Sequence, residues 1–148
     1  MGAKFQLIAV DDSEHTIFDI REAAAKQDLP EVKEATTEEA GLELIEKFRP
    51  EPVPPVFLID LKLRDEGSGF RILEAIRKKR SLRYAPVIIL TSSEDQAAIN
   101  RSYQLGANSY VIKEGDPKEF SKVLDDLISY WTDASMHDRA VTKRRPRK

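Results

Sequence analysis

Leu7-Ile8-Ala9-Val10-Asp11-Asp12 is a short apolar run that ends in two carboxylates, and Val56-Phe57-Leu58-Ile59-Asp60 repeats the pattern with a third. Continuous apolar runs of this length suit parallel strands covered on both faces. Open sheets of that kind bind ligands just beyond the carboxyl ends of their strands. Three acids are therefore expected in one crevice. They repel one another unless protons or a hard cation compensate, and an all-oxygen donor set suits magnesium. Two more apolar runs end in polar groups: Thr91 follows Val87-Ile88-Ile89-Leu90, and Lys113 follows Tyr110-Val111-Ile112.

On either side of these runs the apolar period alternates between strand-like and helix-like, giving five pairs. The expected strands are Phe5 to Val10, Val32 to Ala35, Val56 to Asp60, Pro86 to Thr91 and Ser109 to Lys113. Ser13 caps a first helix with Ile17, Ile20 and Ala24 inward. Thr36 with Glu39 fits a capping box for a second, whose inward residues are Leu42, Leu44, Ile45 and Phe48. Four prolines make 49–55 a stiff connector. A third helix carries Phe70, Leu73 and Ile76 and is trailed by the basic run Arg77-Lys78-Lys79-Arg80. Ser93 caps a fourth, with Ala98, Ile99, Tyr103 and Leu105 inward, and Asp116-Pro117 opens a fifth that runs to Trp131. Strands alternating with helices imply a doubly wound parallel sheet, α/β in class and flavodoxin-like, (βα)5, in the order 2-1-3-4-5. Its switch point lies between strands one and three, the two that end in acid.

With 148 residues, 41% hydrophobic and 34% charged, the chain suits one well-buried domain. It contains no cysteine, which excludes disulfides and fits a reducing, cytoplasmic setting. No run approaches the ~20 apolar residues of a membrane span, and the start does not resemble a signal peptide. The net charge of −2 is uneven: 132–148 hold six Lys/Arg and two Asp, which leaves 18 basic and 24 acidic residues in 1–131. From Thr132 no periodicity is evident, so 132–148 read as a C-terminal extension with a disordered basic end. The fifth helix, over 117–131, would be ~22 Å long, more than strands of ~17–20 Å can cover. Trp131 is thus expected to overhang its own sheet and to favour a homodimer through helix four, strand five and helix five.

Phosphoryl transfer suits the edge residues, because there a protein mainly positions reactants and neutralises charge. Asp60 can attack in line, with magnesium held by Asp12 and Asp60 and with Asp11 acting through a metal-bound water. Lys113 would pair with Asp60 before reaction and with a phosphoryl oxygen after it, and Thr91 would donate to another oxygen. Taken singly, an acidic pair suits a solvated helix N-terminus, and a lone Thr or Lys suits a turn or a surface. Their joint placement at the ends of four strands favours chemistry.

In this order and near spacing, Asp11/Asp12, Asp60, Thr91 and Lys113 resemble the marks of the receiver domains of two-component response regulators, over residues 4–131. Leu105-Gly106-Ala107-Asn108-Ser109-Tyr110-Val111-Ile112-Lys113 and Ile128-Ser129-Tyr130-Trp131 are similar to single-domain regulators paired with bacterial phytochromes. The resemblance implies a sensor histidine kinase as donor, a bacteriophytochrome in the narrower reading, and Mg²⁺ as cofactor. It also implies Asp60 as phosphoacceptor, Thr91 with Tyr110 as switch pair, and a metal ligand in the backbone carbonyl of Lys62. The family usually has proline after its lysine; Glu114 stands there, and its peptide is expected trans.

On these expectations the chain is a phosphorylation switch that signals by binding other proteins, with no output domain after Trp131 and no catalysis beyond its own phosphorylation and dephosphorylation. A magnesium phosphohydrolase is the alternative, but it would want an acid where Lys62 stands. A nucleotide or flavin binder would want a Gly-rich loop after strand one, and none follows. The basic end reads as a solvated terminus rather than a nucleic-acid contact.

Overall fold

A computed structural model describes residues 5–113 and 115–141, of which 133–141 are described as backbone only. The elements run β1 Gln6–Val10, α1 Glu14–Lys26, β2 Lys33–Ala35, α2 Glu38–Glu46, β3 Pro55–Ile59, α3 Ser68–Lys78, a 3-10 turn Arg80–Leu82, β4 Val87–Thr91, α4 Gln96–Gln104, β5 Ser109–Ile112 and α5 Pro117–Val141. All strand pairs are parallel, in the order β2-β1-β3-β4-β5 that the alternation predicts. Alternate residues of each strand feed opposite layers, as the period of two requires. Leu7, Ala9 and Leu58 pack with Ile17 and Ile20 of α1 and Phe120, Leu124 and Ile128 of α5. Ile8, Val10, Phe57 and Ile59 pack with Ile45 of α2 and Ile72, Leu73 and Ile76 of α3. Among the described residues, no helix is long and apolar enough to cross a membrane.

Several local expectations are corrected. Thr37, not Thr36, caps α2, its side chain accepting from Ala40 N at 3.0 Å. Asp95, not Ser93, caps α4; Ser93 Oγ accepts from Asp95 N instead, at 3.3 Å, in the turn ahead of it. On α4, Ala98 and Leu105 pack against the core as expected, but Tyr103 is 48% exposed and Ser102 is fully buried in its stead, its hydroxyl returned to Ala98 O at 2.8 Å. Arg77 leaves the solvated basic run and turns its guanidinium onto the carbonyls of Gly106, Ala85 and Arg83 at 2.7, 2.8 and 3.1 Å. It also donates to Asn108 Oδ1 at 3.1 Å, and that oxygen accepts from Val87 N at 2.8 Å. One side chain thus ties α3, the start of β4 and the turn before β5 together.

The fifth helix starts as expected, Asp116 accepting from Lys118 N at 2.9 Å, but it does not stop at Trp131. It continues to Val141, through much of the stretch expected to lack structure. Trp131 is half-buried against the α1/α5 layer rather than overhanging it, and Tyr130 beside it is 63% exposed. The basic end at 143–148 and the Lys113–Glu114 peptide lie outside the described residues.

Candidate functional site

Strand pairing runs one residue past the ends of β1, β3 and β5 and fixes the acidic edge. Asp11 N donates to Ala35 O at 3.0 Å, Asp60 N to Val10 O at 2.9 Å and Lys113 N to Thr91 O at 2.8 Å. Asp11, Asp60 and Thr91 are buried, whereas Asp12 is exposed. One carboxylate oxygen from each of Asp11, Asp12 and Asp60 lies within 4.8 Å of the others, a spacing that three ligands of one cation could share. The three acids therefore converge as the strand ends predict.

Lys113 reaches into this cluster. Its Nζ stands 3.0 Å from Asp11 Oδ2 and 3.3 Å from Asp60 Oδ2. Burial opposes its charge, but the attraction of Asp11 and Asp60 prevails and holds its pKa above the ordinary lysine value. Burial pushes the Asp11 carboxyl up to about 6, although Lys113 and the Ser13 N–H, which donates to Oδ1 at 2.9 Å, pull the other way. The site thus holds a protonatable carboxyl beside a fixed cation.

The loop after β3 is built around Ser68 and Gly69, to which the sequence reading gave no task. Gly69 N donates to Leu61 O at 2.8 Å, and a Cβ at Gly69 would meet Leu61 Cα and lie 2.5 Å from Asp60 O. Only glycine fits so close to the backbone of Asp60 and Leu61. Ser68, fully buried, accepts from Leu63 N at 2.9 Å through Oγ. Lys62 turns its N–H to Asp60 Oδ1 at 3.3 Å, while its ammonium lies out by Glu66. Polar loop spacing alone signals neither residue's task, since the hydrogen bonds run within the loop.

Beside Thr91, a cleft of about 240 Å³ opens between the loops after β3 and β4, with Lys62, Phe70, Ser93 and Arg101 among its walls. The Arg101 guanidinium carbon lies 5.0 Å from the centre of the Phe70 ring, a cation–π distance. Tyr110 is half-buried and donates its hydroxyl to Ser93 O at 2.9 Å, and burial raises its pKa. The structure thus joins Tyr110 to the loop that follows Thr91.

Residues 7–125 match the response regulator receiver domain family. The chain is 29% identical over 85 residues to the response regulator Rcp1 of Synechocystis sp., a match covering 57% of each protein. It is 30% identical over 79 residues to a probable methanogenesis regulatory protein, FilR2, of Methanothrix harundinacea, covering 53% of this chain and 50% of that one. It thus spans about half the length of these curated relatives. Among solved structures, the phosphorylated cyanobacterial phytochrome response regulator RcpA is similar in fold, with TM-score 0.78 at 24% identity, covering 87% of this chain and 94% of that one. The bacteriophytochrome response regulator AtBRR is 31% identical with TM-score 0.61, covering 83% of this chain and 91% of that one. With its family match, its five-stranded order and its acidic strand ends in agreement, the chain belongs to the response regulator receiver domain family.

Proposed function

We propose that this chain is a phosphoacceptor in a two-component relay, taking a phosphoryl group from a sensor histidine kinase on Asp60. The observation that carries the proposal is the Lys113 ammonium set between Asp11 Oδ2 and Asp60 Oδ2 with the Asp12 carboxylate alongside. Asp60 is the acid at the end of the central strand, between β1 and β4. An oxygen of Asp60 attacks phosphorus in line and forms the new O–P bond. The P–N bond of a phosphohistidine breaks, its electron pair going to an imidazole whose other nitrogen already carries a proton, so the ring leaves neutral. Lys113 then moves its charge to a phosphoryl oxygen, and Thr91 donates to a second.

The acidic cluster fits Mg²⁺, because its donors are all oxygens and three carboxylates share one small volume. Asp11, Asp12, Asp60 and the Lys62 carbonyl would hold the ion, and the bound cation would offset charge on the nucleophile and the phosphoryl group. Thr91 and Tyr110 form the switch: the Thr91 hydroxyl follows the phosphoryl oxygen, and Tyr110 gives up or keeps Ser93 O as the loop moves. A phytochrome kinase is the proposed donor, supported by the 31% identity to AtBRR. The proposed setting is the cytoplasm.

The test is phosphotransfer from a labelled histidine kinase, with and without Mg²⁺, to wild type and Asp60→Asn. Label should appear only on wild type and only with Mg²⁺. Unchanged labelling of the variant removes Asp60 from the role, and rapid phosphate release from an external phosphoester favours the hydrolase instead.

We further propose that the chain pairs with a second copy through α4, β5 and α5. Support comes from Tyr103 on α4 and Tyr130 on α5, both large and exposed. Sedimentation equilibrium of wild type and Tyr130→Ala tests this. A wild type that stays monomeric at micromolar concentration, with and without a phosphoryl mimic, refutes it.

A further inference from the structure

Two consecutive peptide groups in the loop after β3 are gripped by side chains and backbone around them. The peptide joining Leu61 to Lys62 is held at both ends: its carbonyl accepts from Gly69 N at 2.8 Å, and its N–H donates to Asp60 Oδ1 at 3.3 Å. The next peptide, from Lys62 to Leu63, is held at one end only, where Leu63 N donates to Ser68 Oγ at 2.9 Å. Its other end, the Lys62 carbonyl, receives no hydrogen bond among the described residues. Leu61, Leu63 and Ser68 are buried, whereas Lys62 is exposed.

A trans peptide is planar, so its C=O and N–H point in opposite directions. The Leu63 N–H is turned inward to a fully buried hydroxyl. The Lys62 carbonyl must therefore face away from Ser68, out of the loop's interior. If Ser68 Oγ were removed, a buried donor would lose its acceptor, and the peptide would rotate to find another. The carbonyl would turn with it.

We propose that Ser68 is a positioning residue for the bound cation: by holding the Leu63 N–H, it aims the Lys62 carbonyl at the ion beside the carboxylates of Asp11, Asp12 and Asp60. The inference rests on the reading of the acidic edge as a Mg²⁺ site, and it adds a residue that touches neither the ion nor phosphorus. Each carboxylate is drawn to a cation by its own charge. A neutral carbonyl has a weaker pull and keeps its aim through the far end of its peptide.

The test is calorimetric titration of the full, unphosphorylated chain with Mg²⁺, for wild type, Asp12→Ala, Ser68→Ala, Ser68→Cys and Arg77→Met. Groups that orient metal ligands matter ~10–100-fold in affinity, so Ser68→Ala should bind Mg²⁺ about tenfold more weakly. Ser68→Cys keeps the shape and weakens the acceptor, and its affinity should lie between that of Ser68→Ala and wild type. Arg77→Met lowers stability from the other end of α3 and should bind as wild type does. With Mn²⁺ as a paramagnetic probe, water ligands are counted by electron spin echo envelope modulation in D₂O. Ser68→Ala should gain a water where the carbonyl is lost, a change that lowered stability alone does not produce. The positioning role alone is overturned if Asp12→Ala abolishes binding while both Ser68 variants match wild type, if Arg77→Met weakens binding as much as Ser68→Ala, or if the water count stays the same. A wild type that takes up no Mg²⁺, or an Asp12→Ala variant that binds it equally well, overturns the metal site and the inference together.

Discussion

Lys113 and Asp11 form the shorter of the two ion pairs at the acidic edge, Nζ to Oδ2 at 3.0 Å, against 3.3 Å to Asp60. The lysine is thus shared, and it compensates both buried acids at once. Removing one partner of a buried ion pair leaves uncompensated charge and costs ~3–5 kcal/mol. Lys113→Met should lower metal-free stability by about 3 kcal/mol, and saturating Mg²⁺ should return part of the loss. Urea denaturation with and without Mg²⁺ measures both, and a variant as stable as wild type would show that the acids are held protonated.

Stability should also depend on pH through Asp11. Its folded pKa, about 6, lies above the ordinary value of 3.8, so the folded state binds the proton more tightly than the unfolded state. The stabilisation is full below 3.8 and is lost as pH rises through about 6. Without metal the chain should therefore lose on the order of 3 kcal/mol from this group between pH 4 and pH 7. Asp11→Asn should flatten that slope. Thermal melts of both proteins in chelator across this range give the comparison, and parallel curves would contradict the assignment.

Gly69→Ala would press a methyl group into the backbone of Asp60 and Leu61. Overpacking against backbone costs ~1–3 kcal/mol. The expected result is a folded but destabilised protein that takes up phosphoryl groups more slowly, because Asp60, the proposed nucleophile, is displaced. Paired melting and phosphotransfer curves would reveal it; unchanged transfer would mean that the loop relaxes away from Asp60.

Arg77→Met should be costly despite lying on the surface run. It strips donors from the carbonyls of Gly106, Ala85 and Arg83 and from Asn108 Oδ1. At ~1.5 kcal/mol for a hydrogen bond to a charged group, the loss should reach about 3 kcal/mol. Arg77→Lys should rescue little, since a point charge cannot reproduce the planar fork. Denaturation midpoints of the two variants within error of wild type would disprove it.

The strand ends were legible because a buried parallel strand must be apolar throughout, so the first charge marks its exit into the crevice. That logic placed Asp11, Asp12, Asp60, Thr91 and Lys113 before any coordinate was needed. It could not place Ser68 or Gly69, whose tasks depend on hydrogen bonds and backbone approach inside a polar loop. Thr36 and Thr37 are chemically equivalent caps, and only the helix phase separates them. On α4, Ala98 and Leu105 pack inward as expected but Tyr103 does not: small Ser102 fits the interior, its hydroxyl satisfied by the helix itself, while the larger Tyr103 stays outside. At Trp131 the argument from helix length failed because the neighbouring layer, including Phe5 and Val56, reaches the end of the sheet and receives the indole.

The seating of Gly69 on Asp60 divides labour within the domain. The β3 exit is clamped by backbone contact, whereas the stretch after Thr91 reaches its neighbours through side chains, as in the single Tyr110 to Ser93 bond. On the proposed function, phosphorylation at the clamped side would find little room for movement there. It would surface on the other bank of the cleft, where one phenol could release one carbonyl at small cost. The anvil would then be glycine and backbone, and the moving part a tyrosine.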